Sequence, residues 1–299
     1  VRSIENFIDT SIHNGDFVGT VNLAVVPFAS KHGNTIDVSI TRVSDGHGGY
    51  TETYTLGNQT YRNYQAFSTA FHNRLNDLEA DGGTNYEAGF LKAAEWFDNL
   101  DDTSGADGNI TYFLSDGKPT YNDTFGNPGR NTGSRTDKED VQGAWHGYQE
   151  LLGSASDMQV NAIGFGNGLD KNAMKTLAML DNTGTPIAGV AGNQTADGLL
   201  YYDGGWWRPN TGTTTGGNAT QVTNGDGLSA AFESGFKPGA LSPAGNDAIT
   251  AENSTSSTII YGDVMNSDRL LHELKQNVTI ADMVTAGMIT ALPGYGSGS

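Results

Sequence analysis

Apolar residues recur along the chain in two rhythms, one typical of helices and one typical of strands. Apolar positions three or four residues apart over 1–13 predict an amphipathic helix. A nearly continuous apolar run at 21–28 predicts a buried strand. Apolar and polar residues alternate at 36–40 and 50–54, and a glycine-rich turn joins the two stretches. That pattern predicts a half-exposed hairpin.

The chain continues to residue 236 by alternating helix patterns with short apolar runs. Strands are predicted at 109–115 and 160–165, and helices near 67–78, 86–97, 141–152, 174–180 and 228–236. Strands that alternate with helices indicate an α/β fold, with a mostly parallel sheet covered by helices on both faces.

Two stretches break this alternation. Residues 183–225 are rich in Gly, Thr and Asn, which predicts a β-rich insertion within a domain spanning 1–236. The insertion carries an aromatic cluster, Tyr201, Tyr202, Trp206 and Trp207. We interpret these rings as packing the insertion onto the domain, with a sugar-stacking or peptide-anchoring platform as the alternative. Residues 237–299 form a linker and a short segment of turns and strands.

Charge and composition exclude several classes of function. The chain has 16 basic and 34 acidic residues and a formal net charge of −18, which argues against binding nucleic acid or an anionic membrane through a basic face. No apolar run approaches the roughly 18 residues that would insert into a bilayer. The absence of Cys excludes disulfides and a thiol nucleophile. An acidic protein of this kind suits a calcium-rich medium.

The candidate chemistry lies where the predicted strand 109–115 turns polar. Asp116 follows that strand, at the rim where open α/β sheets bind ligands. Asp116 could simply cap a turn. A second stretch, Asp81 to Gly89, favours a metal-binding role instead, because its Thr84 precedes a predicted helix that starts at the same rim. Carboxylate and hydroxyl oxygens suit Mg²⁺ or Ca²⁺, so we predict Thr84 and Asp116 as metal ligands.

The two loops, Gly82 to Tyr86 and Leu114 to Pro119, resemble the Thr loop and the Asp loop of a von Willebrand factor type A domain. The resemblance covers about residues 1–236. It implies a Rossmann-like, doubly wound fold with a metal-ion-dependent adhesion site that holds Ca²⁺ or Mg²⁺ through Thr84 and Asp116. It also implies that an acidic group of a ligand completes the metal coordination.

One part of the family pattern is not found in this chain. The DxSxS loop and its strand should precede the first helix, and the chain begins inside that helix, so we expect it to be cut from a longer protein. Asp9-Thr10-Ser11 lies in the helical pattern and does not replace the motif. Without a central strand, the neighbouring strands would expose unpaired backbone groups, and we expect lower stability or weak metal binding.

The C-terminal segment resembles a second pattern. Asn246-Asp247 and the stretch from Tyr261 to Asp268 are similar to the calcium-binding repeats of large type I-secreted bacterial adhesins of the repeats-in-toxin class. That resemblance implies Ca²⁺ bound by Asp263, Asn266 and Asp268. An ordinary polar turn is the alternative.

These observations together predict a binding module rather than an enzyme. No paired metal-spaced histidines, Gly-x-Ser-x-Gly elbow or P-loop is present. We expect a monomeric extracellular adhesion module of a biofilm-type bacterial adhesin, whose partner is a protein or peptide on a host or neighbouring cell, with a glycan as a further option. The alternatives are a carbohydrate-binding module built on the Tyr/Trp insertion, and a structural spacer without a working metal site.

Overall fold

The computed structural model describes residues 1–14, 19–45, 47, 49–78, 82–100, 108–125, 136–169, 171–183, 193–194, 200–203, 206–209, 219–235, 248–253 and 256–261. The chain divides into two compact units, Val1–Phe236 and Lys237–Ser299.

The first unit contains six α-helices and ten strands among its described residues. The helices are α1 (Arg2–Phe7, continued by a π-helical turn Ile8–His13), α2 (Tyr64–Asn76), α3 (Tyr86–Asp98), α4 (Lys138–Ser154), α5 (Lys171–Met179) and α6 (Gly225–Gly235). The strands are β1 (Gly19–Val25), β2 (Ile36–Ser44), β3 (Tyr50–Leu56), β4 (Gln59–Tyr61), β5 (Asn109–Ser115), β6 (Met158–Phe165), β7 (Asn193–Gln194), β8 (Leu200–Asp203), β9 (Trp206–Pro209) and β10 (Thr220–Val222). The described part of the second unit is an antiparallel hairpin of β11 (Ala248–Asn253) and β12 (Ser256–Tyr261).

The strands of the first unit form separate sheets. β5, β6 and β10 make a parallel sheet in the order β10-β6-β5, which confirms the α/β prediction for this part of the chain. The predicted hairpin is also confirmed, since β2 and β3 pair antiparallel. The difference lies in the N-terminal strands, because β1 to β4 form an antiparallel sheet of their own. β3 and β4 follow β2 through tight turns, and a tight turn can only reverse the chain direction.

Helices cover both faces of the parallel sheet. Phe113 of β5 faces a cluster built mainly from α3 and α4, which pack against each other. The next side chain along the strand, Tyr112, faces the opposite cluster, where α1 packs against α6. This alternation is the period of two that a strand imposes, and it explains why β5 carries apolar side chains on both faces.

The two sheets meet through side chains rather than through backbone hydrogen bonds. Among the described strands, β1 pairs only with β2, and β5 pairs only with β6. Leu23 of β1 and Leu114 of β5 nevertheless pack, partly buried, against the same hydrophobic cluster. Just beyond β1, the Phe28 ring stacks on Phe113 with centroids 5.2 Å apart. This pair therefore links the segment after β1 of the antiparallel sheet to β5 of the parallel sheet.

We predict that Phe113→Ala lowers the free energy of unfolding by about 3–5 kcal/mol, because the ring is 4% exposed and packs on Phe28 and Phe90. Urea unfolding followed by circular dichroism measures the change. Leu78→Ala is the control, since Leu78 is 38% exposed, and it should stay within about 0.5 kcal/mol of the parent. Equal losses in the two variants would contradict this account of the joint between the sheets.

Candidate functional site

Three chain segments converge at the carboxyl end of β5. They are the segment 28–30 that follows β1, the segment 82–86 that leads into α3, and the segment 115–121 that follows β5. We call this region the rim. Each segment is held to another by hydrogen bonds between residues that are distant in the sequence, so the rim is fixed by tertiary pairing rather than by local turns.

The central contact of the rim is a reciprocal pairing of Thr84 with Thr120. The Thr84 amide donates to Thr120 Oγ1 at 3.0 Å, and the Thr120 amide donates to the Thr84 carbonyl at 2.8 Å. The Tyr121 amide donates to the same carbonyl at 3.2 Å. The buried Tyr86 hydroxyl donates to the Gly117 carbonyl. These bonds tie the predicted Thr loop directly to the predicted Asp loop.

The segment after β1 completes the rim through Asn85. Asn85 is fully buried and caps α3, since its side-chain oxygen accepts from the Ala88 amide at 3.0 Å. Its own amide donates to the Ala29 carbonyl at 2.7 Å, and its side-chain nitrogen donates to the Ser30 carbonyl at 3.2 Å. The helix start is thereby anchored to the antiparallel sheet.

Both glycines of the Thr loop are required by close approach. Gly82 has φ +89°, and a Cβ there would collide with Ser30 Oγ. A Cβ on Gly83 would collide with the Tyr121 ring. The Gly83 amide donates to Ser30 Oγ at 2.8 Å. The glycines therefore let the loop pass between the two neighbouring segments.

The structure brings the two predicted metal ligands of the rim close together. Thr84 is half-buried, and its Oγ1 lies 3.7 Å from the position that a Cβ would take on Gly117, the residue after Asp116. Asp116 is exposed at the end of β5. Burial raises the pKa of Tyr86, and the Asp116 charge raises it further, as expected for a carboxylate near that hydroxyl. The role of the pair as metal ligands stays a prediction.

The donor set allows a test of which ion it could hold. No three His, Cys, Asp or Glu side chains gather as a metal-binding group within the described ranges. Thr84 and Asp116 together offer three side-chain oxygens, one hydroxyl and two of a carboxylate. Ca²⁺ takes about six to eight oxygen ligands, whereas Mg²⁺ commonly keeps several waters beside one or two carboxylates. A largely hydrated Mg²⁺ therefore fits these two residues better than a dehydrated Ca²⁺.

The other predicted functional residues lie elsewhere. Asp263, Asn266 and Asp268 fall outside the described residues. In the insertion, β7, β8 and β9 form an antiparallel sheet, and partly buried Trp207 packs against the core cluster that surrounds Phe113. For Trp207 the packing interpretation is confirmed. The structure describes only the backbone of the other three aromatics, Tyr201, Tyr202 and Trp206.

Sequence reasoning missed a buried carboxyl group that supports the rim. Glu87 of α3 is fully buried, and its Oε2 accepts from the amides of Asp123 at 2.6 Å and Thr124 at 3.1 Å. Its Oε1 lies 3.0 Å from His146 Nδ1 on α4. One side chain thus holds the loop beyond Thr120 against two helices.

A sequence signal for Glu87 did exist. Glu87 precedes Phe90 by three residues and Ala94 by seven, which places it on the buried stripe of α3. An acidic residue on such a stripe needs hydrogen-bond partners, because burying an unpaired charge is costly. Ser30 could have been found from its position at the end of the first strand, beside the same rim.

Comparisons with known proteins do not identify the chain. No protein-family model, curated protein or solved structure matches it. Within the residues that the structure describes, no helix is both long and apolar enough to cross a bilayer.

We predict that Glu87→Ala loosens the loop that carries Asp123 and Thr124, because two backbone amides lose their buried acceptor. Leaving such groups unsatisfied costs about 1–3 kcal/mol. Hydrogen exchange should show faster exchange at these two amides than in the parent. The control is Glu150→Ala, since Glu150 contacts the same His146 at 3.7 Å but is exposed. Unchanged amide protection in Glu87→Ala would exclude this role.

Proposed function

We propose that the rim binds a divalent cation through Thr84 and Asp116 and captures an acidic group of a protein or peptide ligand. The observation that carries this proposal is that Thr84 Oγ1 lies 3.7 Å from the position that a Cβ would take on Gly117, the residue after Asp116. It is supported by the chemistry of the two groups, since a carboxylate and a hydroxyl are hard oxygen donors suited to Mg²⁺ or Ca²⁺.

The two metal-coordinating residues, Thr84 and Asp116, would contribute in different ways. The amide and the carbonyl of Thr84 are both hydrogen-bonded to Thr120, so the backbone that carries the hydroxyl is fixed. Asp116 is exposed, so it is accessible to an ion from solvent. When bound, the ion would supply positive charge and a coordination position for a ligand carboxylate. Preorganisation limits the ordering cost of binding.

The wider assignment follows from the same resemblance. We propose a von Willebrand A-type, Rossmann-like module that lacks enzymatic activity and acts as a monomer outside the cell. We also propose that Ca²⁺ binds Asp263, Asn266 and Asp268 in the C-terminal segment, as in repeats-in-toxin adhesins. The net charge of −18 supports a cation-binding surface protein over a nucleic-acid partner.

The alternatives have less support. A carbohydrate platform on the insertion would need exposed rings, and Trp207 packs inward against the core. A structural spacer would leave Mg²⁺ unbound at Asp116, and calorimetry with Mg²⁺ distinguishes it from the proposed binding module.

We predict that Asp116→Asn and Thr84→Val weaken binding of a carboxylate peptide at least about tenfold, which corresponds to about 1.4 kcal/mol. The probe is a labelled peptide of five glycines and one glutamate, measured by fluorescence anisotropy in excess Mg²⁺ and again with EDTA. Asp123→Asn removes an exposed carboxylate from the loop beyond Thr120 and should bind as the parent does. Circular dichroism should show all three variants folded.

Two results would overturn this proposal. Parent-like binding by both Asp116→Asn and Thr84→Val would remove the assigned ligands. Binding that EDTA leaves unchanged would remove the metal. A glycan array with and without chelator separates the main alternative, because sugar binding indifferent to EDTA favours the carbohydrate module.

A further inference from the structure

Two buried hydroxyl groups hold the turn that carries Asp116. The Ser115 Oγ accepts from the Gly117 amide at 3.3 Å and donates to the Gly117 carbonyl at 3.2 Å. The buried Tyr86 hydroxyl donates to the same carbonyl. The peptide groups on both sides of Gly117 are therefore fixed from the core, although Asp116 itself is exposed.

The Tyr86 ring is fixed by its surroundings. It is fully buried and packs edge-on against Phe113 with ring centroids 4.7 Å apart, and against Phe28 with centroids 6.1 Å apart. Tyr86 is also the first residue of α3, directly after the buried helix cap Asn85. Because both the ring and the backbone are held, the hydroxyl is a fixed donor for the turn beyond β5.

The segment that holds this turn also carries the other proposed metal ligand. Thr84 lies two residues before Tyr86, and its amide and carbonyl both bond to Thr120. One short segment thus presents the Thr84 hydroxyl and fixes the residue after Asp116. Metal sites need ligands held close to the productive geometry, and residues behind the ligands supply that precision.

We propose that Tyr86 is a positioning residue for the cation site, which sets the position of Asp116 relative to Thr84 through the Gly117 carbonyl. This inference rests on the proposed function, in which Thr84 and Asp116 bind the cation. The Tyr86 hydroxyl contacts the turn rather than the ion. Phenylalanine would fill the same space in the core, but it would leave the carbonyl to Ser115 alone.

The test is Tyr86→Phe, with Mg²⁺ binding measured by isothermal titration calorimetry. Affinity for Mg²⁺ should fall about threefold to tenfold, as expected for the loss of one positioning hydrogen bond. Circular dichroism should show a folded protein, since the ring packing is kept. With Mg²⁺ far above its weakened dissociation constant, the peptide of five glycines and one glutamate should bind within about twofold of the parent, because the ion site is then filled.

Tyr148→Phe is the matched control. Tyr148 is fully buried in the same hydrophobic cluster as Tyr86, and its hydroxyl has no hydrogen-bond partner within the described residues. The chemical change is identical, so Mg²⁺ affinity should equal that of the parent. If Tyr148→Phe weakens Mg²⁺ binding as much as Tyr86→Phe does, the effect comes from the core in general and the positioning role is wrong.

A second measurement needs no ion. With EDTA present, the Gly117 amide should exchange its hydrogen faster in Tyr86→Phe than in the parent. The Thr120 amide, which donates to the Thr84 carbonyl at 2.8 Å, should be unchanged. Equal protection of Gly117 in the two proteins would contradict the proposed hold. If Tyr86→Phe does not fold, Ser115→Ala removes the other hydroxyl at Gly117 and should weaken Mg²⁺ binding in the same way.

The remaining outcomes separate this inference from the proposed function. If Asp116→Asn and Thr84→Val bind Mg²⁺ and the peptide as the parent does, the proposed function is wrong and the role of Tyr86 falls with it. If those variants lose Mg²⁺ while folded Tyr86→Phe keeps the parent affinity, the cation site stands and the positioning role is wrong. If saturating Mg²⁺ does not restore peptide binding to Tyr86→Phe, the hydroxyl does more than position Asp116, and the inference is overturned.

Discussion

The reciprocal hydrogen bonding of Thr84 with Thr120, one bond to the side chain and one between backbones, is the constraint on which the candidate site depends. The described strands β1 and β5 share no backbone hydrogen bonds, so the antiparallel and parallel sheets are joined by contacts at their ends and by packing. At those ends Asn85 bonds to Ala29 while Thr84 bonds to Thr120. The segment that carries the proposed metal ligand is thus also the segment that connects the sheets. The joint between the sheets and the proposed site therefore share the same few hydrogen bonds.

Much of this architecture could be predicted from the sequence because it is local. Helix and strand periodicities depend on which residues face a core, and those predictions match the observed elements from α1 to α6 closely. The neighbourhood of Thr84 and Asp116 could also be anticipated, because a strand end and a helix start meet at one rim of a parallel sheet. Gly82 and Gly83 indicated that the loop backbone passes close to another group. The structure shows that the close neighbours are Ser30 and Tyr121.

The remainder depended on pairings that periodicity does not encode. Whether β1 joins a parallel or an antiparallel sheet is decided by its partner, and its partner β2 is reached through a connection whose course the pattern leaves open. The roles of Glu87 and His146 likewise required knowing that α3 and α4 pack face to face. A polar residue on a buried stripe shows that a partner is needed without saying which residue provides it.

The charge of the molecule sets a condition on any acidic ligand. A net charge of −18 repels such a ligand at long range, but at physiological ionic strength the Debye length is about 8 Å, so distant charges are largely screened. Binding must therefore be decided by groups within that distance of the ligand. At the rim we assign this role to Asp116 and a cation that it could hold. Without a cation, Asp116 would itself repel a carboxylate, so the same residue opposes or favours acidic ligands according to whether an ion is bound.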